Sequence, residues 1–175
     1  MSGTLAQFNT AVTDADFASL AGSETLTNKT LTSPTINTAI IGDGVVRGLE
    51  EDVNVVASAA TGTINLEVAT ASIWYYTSNA SANHTLNIRY SSTTTLNSAL
   101  ATGDAITVVW MNTNGGTAYY PNVIQIDGST VTPKWQGGTA PAAGNASSID
   151  VYVFTIVKTA ATPTYTVFAS QTKFA

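Results

Sequence analysis

The residues that could do chemistry are few and stand apart from one another. His84 is the single histidine, within Asn83-His84-Thr85. An imidazole serves as a base or a metal ligand only when partner groups are placed around it. No spacing here supplies a triad or a ligand set, so the expected place for His84 is the surface, at a turn or the start of a strand. Glu50-Glu51-Asp52 is the densest acidic cluster. A glycosidase built on Glu50 or Glu51 needs two carboxylates held ~5–9.5 Å apart across a sugar. Three consecutive acids more simply mark a solvated boundary, open to Arg47 or to a basic patch on a neighbouring subunit. Asp43, Asp104, Asp127 and Asp150 each adjoin a glycine or open an apolar run, as turn formation by an Asx side chain requires. None starts the alternating oxygen ligands of a calcium loop. Phosphate-binding Gly-rich motifs and Gly-x-Ser-x-Gly elbows are missing too. No catalytic, cofactor or metal site is expected.

The aromatics are the groups best suited to contact a ligand. Trp74, Tyr75 and Tyr76 share one run, Tyr119 and Tyr120 another, and Trp135 opens a Gly-rich stretch. Neighbouring residues on a strand point to opposite faces, so some of these rings must face outward. Trp74, Tyr119 and Trp135 are the candidates for sugar stacking, weighed against the core and interface roles that Tyr and Trp more often fill.

The elements that would position these groups are strands. Val53–Ser58, Thr63–Ala69, Ser72–Thr77, Thr85–Tyr90, Ala105–Asn112, Tyr119–Ile126, Thr130–Trp135, Asp150–Lys158 and Thr164–Ser170 are rich in Val, Ile, Thr, Tyr and Trp and are separated by Gly, Asn, Ser and Pro. Ile64-Asn-Leu-Glu-Val and Leu86-Asn-Ile-Arg-Tyr alternate, which gives each one buried and one wet face. Ile106-Thr-Val-Val-Trp-Met is more uniformly apolar and reads as a central strand. Thr94–Leu100 fits a single helical turn, 135–145 an irregular loop, and Val151–Val157 with Tyr165–Ala169 a hairpin turning at Ala161-Thr-Pro163. Thr172-Lys-Phe174 is expected to complete an edge. Many short strands at close spacing predict an all-β domain over residues 51–175, an antiparallel β-sandwich of jelly-roll type.

Composition agrees with a structural rather than a chemical role. In 175 residues, charged side chains make up 10% and the formal charge is −5. That fraction is well under the ~25% of an average soluble protein. The 6 basic residues are scattered, so no patch neutralises several phosphates and nucleic acid is not an expected partner. With no cysteine, stability must come from burial, some of it shared between subunits. Met1-Ser-Gly-Thr lacks the basic and apolar regions of a signal peptide, and no apolar run approaches the ~20 residues of a membrane span. The expectation is a chain made in the cytosol, soluble and not inserted in a membrane.

Two segments precede the β domain. In residues 1–22, Leu5, Phe8, Phe17 and Leu20 are costly to leave in water, and one or two short helical turns ending at Gly22 would dock them on a partner. In residues 23–50, Leu26, Leu31, Ile36, Ile41 and Val46 recur every fifth residue. A helix repeats at 3.6 and a strand at 2. One apolar side chain per pentad, among Thr, Asn, Ser and Pro34, gains little from its own neighbours. The segment therefore reads as an extended assembly arm, lying on a copy of itself or in a groove of another subunit.

The wording of this arm resembles a segment that recurs in tail-fibre and other virion structural proteins of tailed bacteriophages. The resemblance is carried by Glu24-Thr-Leu-Thr-Asn-Lys-Thr-Leu-Thr-Ser-Pro-Thr-Ile36. Leu5 to Gly22 is similar to the segment that accompanies it, and Lys134-Trp-Gln-Gly-Gly-Thr-Ala-Pro141 with Ser148-Ile-Asp-Val-Tyr-Val-Phe154 to the C-terminal domain of such proteins. The resemblance implies a non-enzymatic virion protein, a homotrimer whose partners are itself and other tail or capsid proteins. It also implies a surface turned to the host, with a surface glycan as a further partner. Tail fibre and capsid decoration or head fibre both fit. A carbohydrate-binding module acting through Trp74, Tyr119 or Trp135 is the alternative from another class.

Overall fold

The computed structural model describes Thr30, Thr32, Arg47, Gly48 and residues 50–175. The docking positions Leu5, Phe8, Phe17 and Leu20 and the arm positions Leu26, Leu31, Ile36, Ile41 and Val46 lie outside the described residues, as does Asp43.

Alternating side chains set the strands. Strand β1 (Val53–Ala59) is followed by β2 (Gly62–Glu67), β3 (Ile73–Ser78), β4 (His84–Arg89) and β5 (Ala105–Asn114). Then come β6 (Pro121–Ile126), the short β7 (Ser129–Val131) and β8 (Lys134–Trp135), and the long β9 (Ser148–Ala160) and β10 (Thr164–Phe174). In β2, Ile64 and Leu66 are buried while Thr63 and Asn65 are exposed. In β9 every second residue from Ser148 to Lys158 is buried. Period 2 sustained from Ser148 to Lys158 holds a strand with one face committed to a core. The short α-helix α1 (Leu96–Ala99) starts at Thr95, whose side chain accepts from the Ser98 amide.

The strands form a six-stranded sheet in the order β1-β3-β5-β9-β10-β8 and a four-stranded sheet in the order β2-β4-β6-β7. Both contribute to one core: Leu66, Leu86, Ile88 and Ile126 from the smaller sheet, and Trp110, Tyr152, Phe154 and Ile156 from the larger. The all-β two-sheet sandwich is the architecture expected.

Strand direction differs from the expected antiparallel jelly roll. β1, β3 and β5 run parallel side by side in one sheet, and β2, β4 and β6 run parallel in the other. The chain alternates between sheets at each step, so β1–β2, β3–β4 and β5–β6 are successive turns of one winding. Among the described residues, antiparallel pairing is confined to β5–β9, β9–β10 and β6–β7. The physical reason lies in the connections. Each short link after β1, β3 and β5 carries the chain across to the opposite layer instead of folding it back as a hairpin.

Where hairpins do occur, the turn residues account for them. Asp127 and Gly128 join β6 to β7 with φ 49° and 79°, the double positive φ of a two-residue hairpin turn, for which Asp-Gly is a preferred pair. The expected single strand Thr130–Trp135 is instead broken at Thr132-Pro133 into β7, which pairs with β6 in the smaller sheet, and β8, which pairs with β10 in the larger. β9 and β10 turn at 161–163, and Thr172 to Phe174 pair with β9 as an extension of β10.

Candidate assembly interface

The six-stranded sheet has one face in the core and one facing outward. Residues paired across strands share a face, so the register reads out the outer one. Val53, Ile73, Val109 and Val153 form one row across four strands, and Val55, Tyr75, Met111 and Val151 form the next. Ile149 and Phe174 pair at one end of the sheet, and Thr155 and Phe168 lie on the other side of these rows. Thr107 and Thr155 share a hydroxyl hydrogen bond of 3.3 Å. Val55 is 61% exposed, Phe174 56%, Phe168 49% and Val53 42%. The outer positions of β1, β3, β5, β9 and β10 carry no charged side chain. The first cation is Lys134, at the margin on β8, opposite Phe168. There Lys134, Gln136, Val153, Thr155, Phe168 and Ser170 line a shallow groove of about 350 Å³.

The outer face of the four-stranded sheet is built the other way. Asn65, Asn87, Gln125 and Thr130 form a polar row in register, with Asn87 Nδ2 donating to Asn65 Oδ1 at 2.8 Å. Beside it Arg89 pairs with Glu67 at 2.6 Å. This is a polar face, with Asn65 and Thr130 exposed and Asn87 buried within the row. One chain thus presents a wet outer face and a dry one, and contiguous exposed apolar surface is where proteins meet partners.

Beneath one end of the dry face lies a buried polar knot. Asp150, on the core side of β9, is fully buried, a correction to its expected turn role. Its Oδ2 accepts from the Asn145 amide at 2.8 Å and from Asn114 Nδ2 at 3.2 Å, and its Oδ1 accepts from Asn145 Nδ2 at 2.7 Å. Gln171 Nε2 approaches Oδ2 at 3.4 Å and donates to the Tyr152 hydroxyl at 2.9 Å. Amide N–H groups therefore satisfy the carboxylate as a buried anion. Burial, and secondarily the Asp150 charge, push the Tyr152 phenol well above its ordinary pKa. Asn114 Oδ1 accepts from the Tyr119 amide at 3.0 Å and from Asn112 Nδ2 at 3.1 Å, which also donates to the Tyr119 carbonyl at 3.0 Å. These bonds fasten the loop before β6 and the loop before β9 to the adjoining ends of β5 and β9 in the large sheet. Alternation was the available signal, since Asp150 shares a phase with Tyr152 and Phe154, and Asn112 and Asn114 share one with Val108 and Trp110.

The sequence-picked chemistry does not converge. His84 is 2% exposed, not at the surface. On β4 it shares the inward phase of Leu86 and Ile88, and its ring lies 5.5 Å from that of Trp110. Burial lowers its pKa, against a smaller opposing effect of the Ala82 carbonyl. Trp74 is 7% exposed and donates its indole N–H to the Ala71 carbonyl at 2.9 Å, which leaves it no face for a sugar. Trp135 meets Tyr152 and Phe154 edge-on at 6.5 and 6.0 Å and closes the core at the open end of the large sheet. Tyr119 is half-buried, its backbone held in the polar knot. Glu50, Glu51 and Asp52 are exposed, as a solvated boundary should be. Asp104 accepts from the Ala101 amide at 2.8 Å, the expected turn role. Asp127 does more than turn the chain, because it also accepts from the Leu96 and Asn97 amides at 2.8 and 3.1 Å. Among the described residues no three His, Cys, Asp or Glu gather as a metal set. No family model, curated protein or solved structure matches this chain.

Proposed function

We propose that the chain is a non-enzymatic structural subunit of a tailed-phage virion. It assembles as a homotrimer, held to the particle through residues 1–48, and projects its β-sandwich outward for host attachment. The observation that carries this reading is the uncharged apolar outer face of the six-stranded sheet. A domain that must live alone in water keeps such a face polar, as the four-stranded sheet does, whereas a building block covers it on assembly. The pentad spacing of the arm and its resemblance to virion-protein segments support the same class. A tail fibre is the favoured placement, with a capsid decoration or head fibre as the alternative.

Two measurements test the reading. Native mass of the full chain is expected at three times the protomer mass. Deletion of residues 1–48 is expected to abolish incorporation into particles while the β-type circular dichroism persists. A full chain that stays a solitary monomer and is missing from purified particles overturns the proposal.

A further inference from the structure

We infer that the outer face of the six-stranded sheet packs against the same face of other copies of this chain, giving the β domain an assembly interface separate from the arm. The inference rests on the structural-subunit reading above and adds the surface and its occupant. Exposure marks the surface. The central rows through Val109 and Met111 are continuous across β1, β3, β5 and β9, and their rim at Val55 is 61% exposed.

Charge selects the occupant. The outer positions of β1, β3, β5, β9 and β10 carry no charged side chain. Copies can therefore bring these faces together without desolvating an unpaired charge. An unlike protein is steered and held in register by complementary charges, and the face presents none before Lys134 at its margin. A membrane surface draws basic residues, and a single lysine on an acidic chain is a poor match. A broad sheet of β-branched side chains is matched by another of its kind, as in sheet-on-sheet packing ~10 Å apart. In a trimer each such face meets two neighbours.

The experiment uses the full chain and single substitutions at the middle of the face. Val109→Glu and Val153→Glu are expected to shift the native mass from oligomer to monomer, with the thermal unfolding transition kept. Thr85→Glu, on the outer face of the four-stranded sheet, is expected to leave the oligomer intact. Since the chain has no cysteine, Val109→Cys adds a unique probe that barely perturbs the fold. Mild oxidation is expected to give a covalent dimer on denaturing gels, which Thr85→Cys does not. If both glutamate variants assemble like the parent and Val109→Cys stays uncrosslinked in an intact oligomer, the face is not the contact, and assembly through the arm still stands. A parent chain that is monomeric throughout overturns both readings.

Discussion

At the scale of single residues, the two polar side chains that matter most are both inside. His84 sits among Trp110, Leu86 and Ile88 with its pKa below the ordinary 6.5. As pH falls through that ordinary value, the unfolded chain takes up a proton before the folded one does, so stability is complete above it and declines below it, levelling only under the folded pKa. Denaturant midpoints measured from neutral to mildly acid pH are expected to fall for the parent. His84→Phe should flatten that acid limb. Asp150→Asn replaces an acceptor-only group by one that turns an NH₂ toward the Asn145 and Asn114 amides. It is expected to lower stability by about 1–3 kcal/mol, read from the shift of the denaturant midpoint. Neither interior position was legible from residue type. A lone histidine beside Asn83 and an aspartate after Ser148 look like turn residues, and only the phase they share with apolar neighbours two residues away assigns them inward.

At the scale of elements, strand positions were legible almost throughout, because alternation in Ile64–Glu67, Leu86–Arg89 and Ser148–Lys158 states both the strand and its buried side. Thr130–Trp135 was the exception, since it breaks at Thr132-Pro133 and its two halves pair in different sheets. Direction was not legible. A link such as Ala60-Thr61 is short enough for a hairpin, yet it crosses to the other sheet, and nothing in its residues distinguishes the two outcomes. The loop before β9 illustrates how closely the elements are tied. A Cβ at Gly144 would meet the Tyr119 carbonyl oxygen and Asn114 Nδ2, the very groups of the polar knot. Gly144→Ala is therefore expected to destabilise the fold by about 1–3 kcal/mol. Hydrogen exchange of the Tyr119 amide is expected to rise with it, while the β9–β10 hairpin stays protected.

At the scale of the whole molecule, the two outer faces predict how copies hold together. Contacts made by an uncharged apolar face are not screened by salt and are reinforced by sulfate. The oligomer mass in sedimentation is expected to hold between low and high sodium chloride. Dissociation on adding salt would point instead to charged contacts. The arm's spacing raised the expectation of a partner, whereas the apolar outer face was not legible, because it emerges only when rows from Val53, Ile73, Val109 and Val153 are brought into register. The parallel winding of β1 to β6 has one further outcome. Each lap returns the chain to its starting layer, displaced by one strand and heading the same way, so a duplicated lap could be inserted without reversing any strand that follows. The sandwich can thus grow by gene duplication like a coil gaining a loop, widening its dry flank while both rims keep their design.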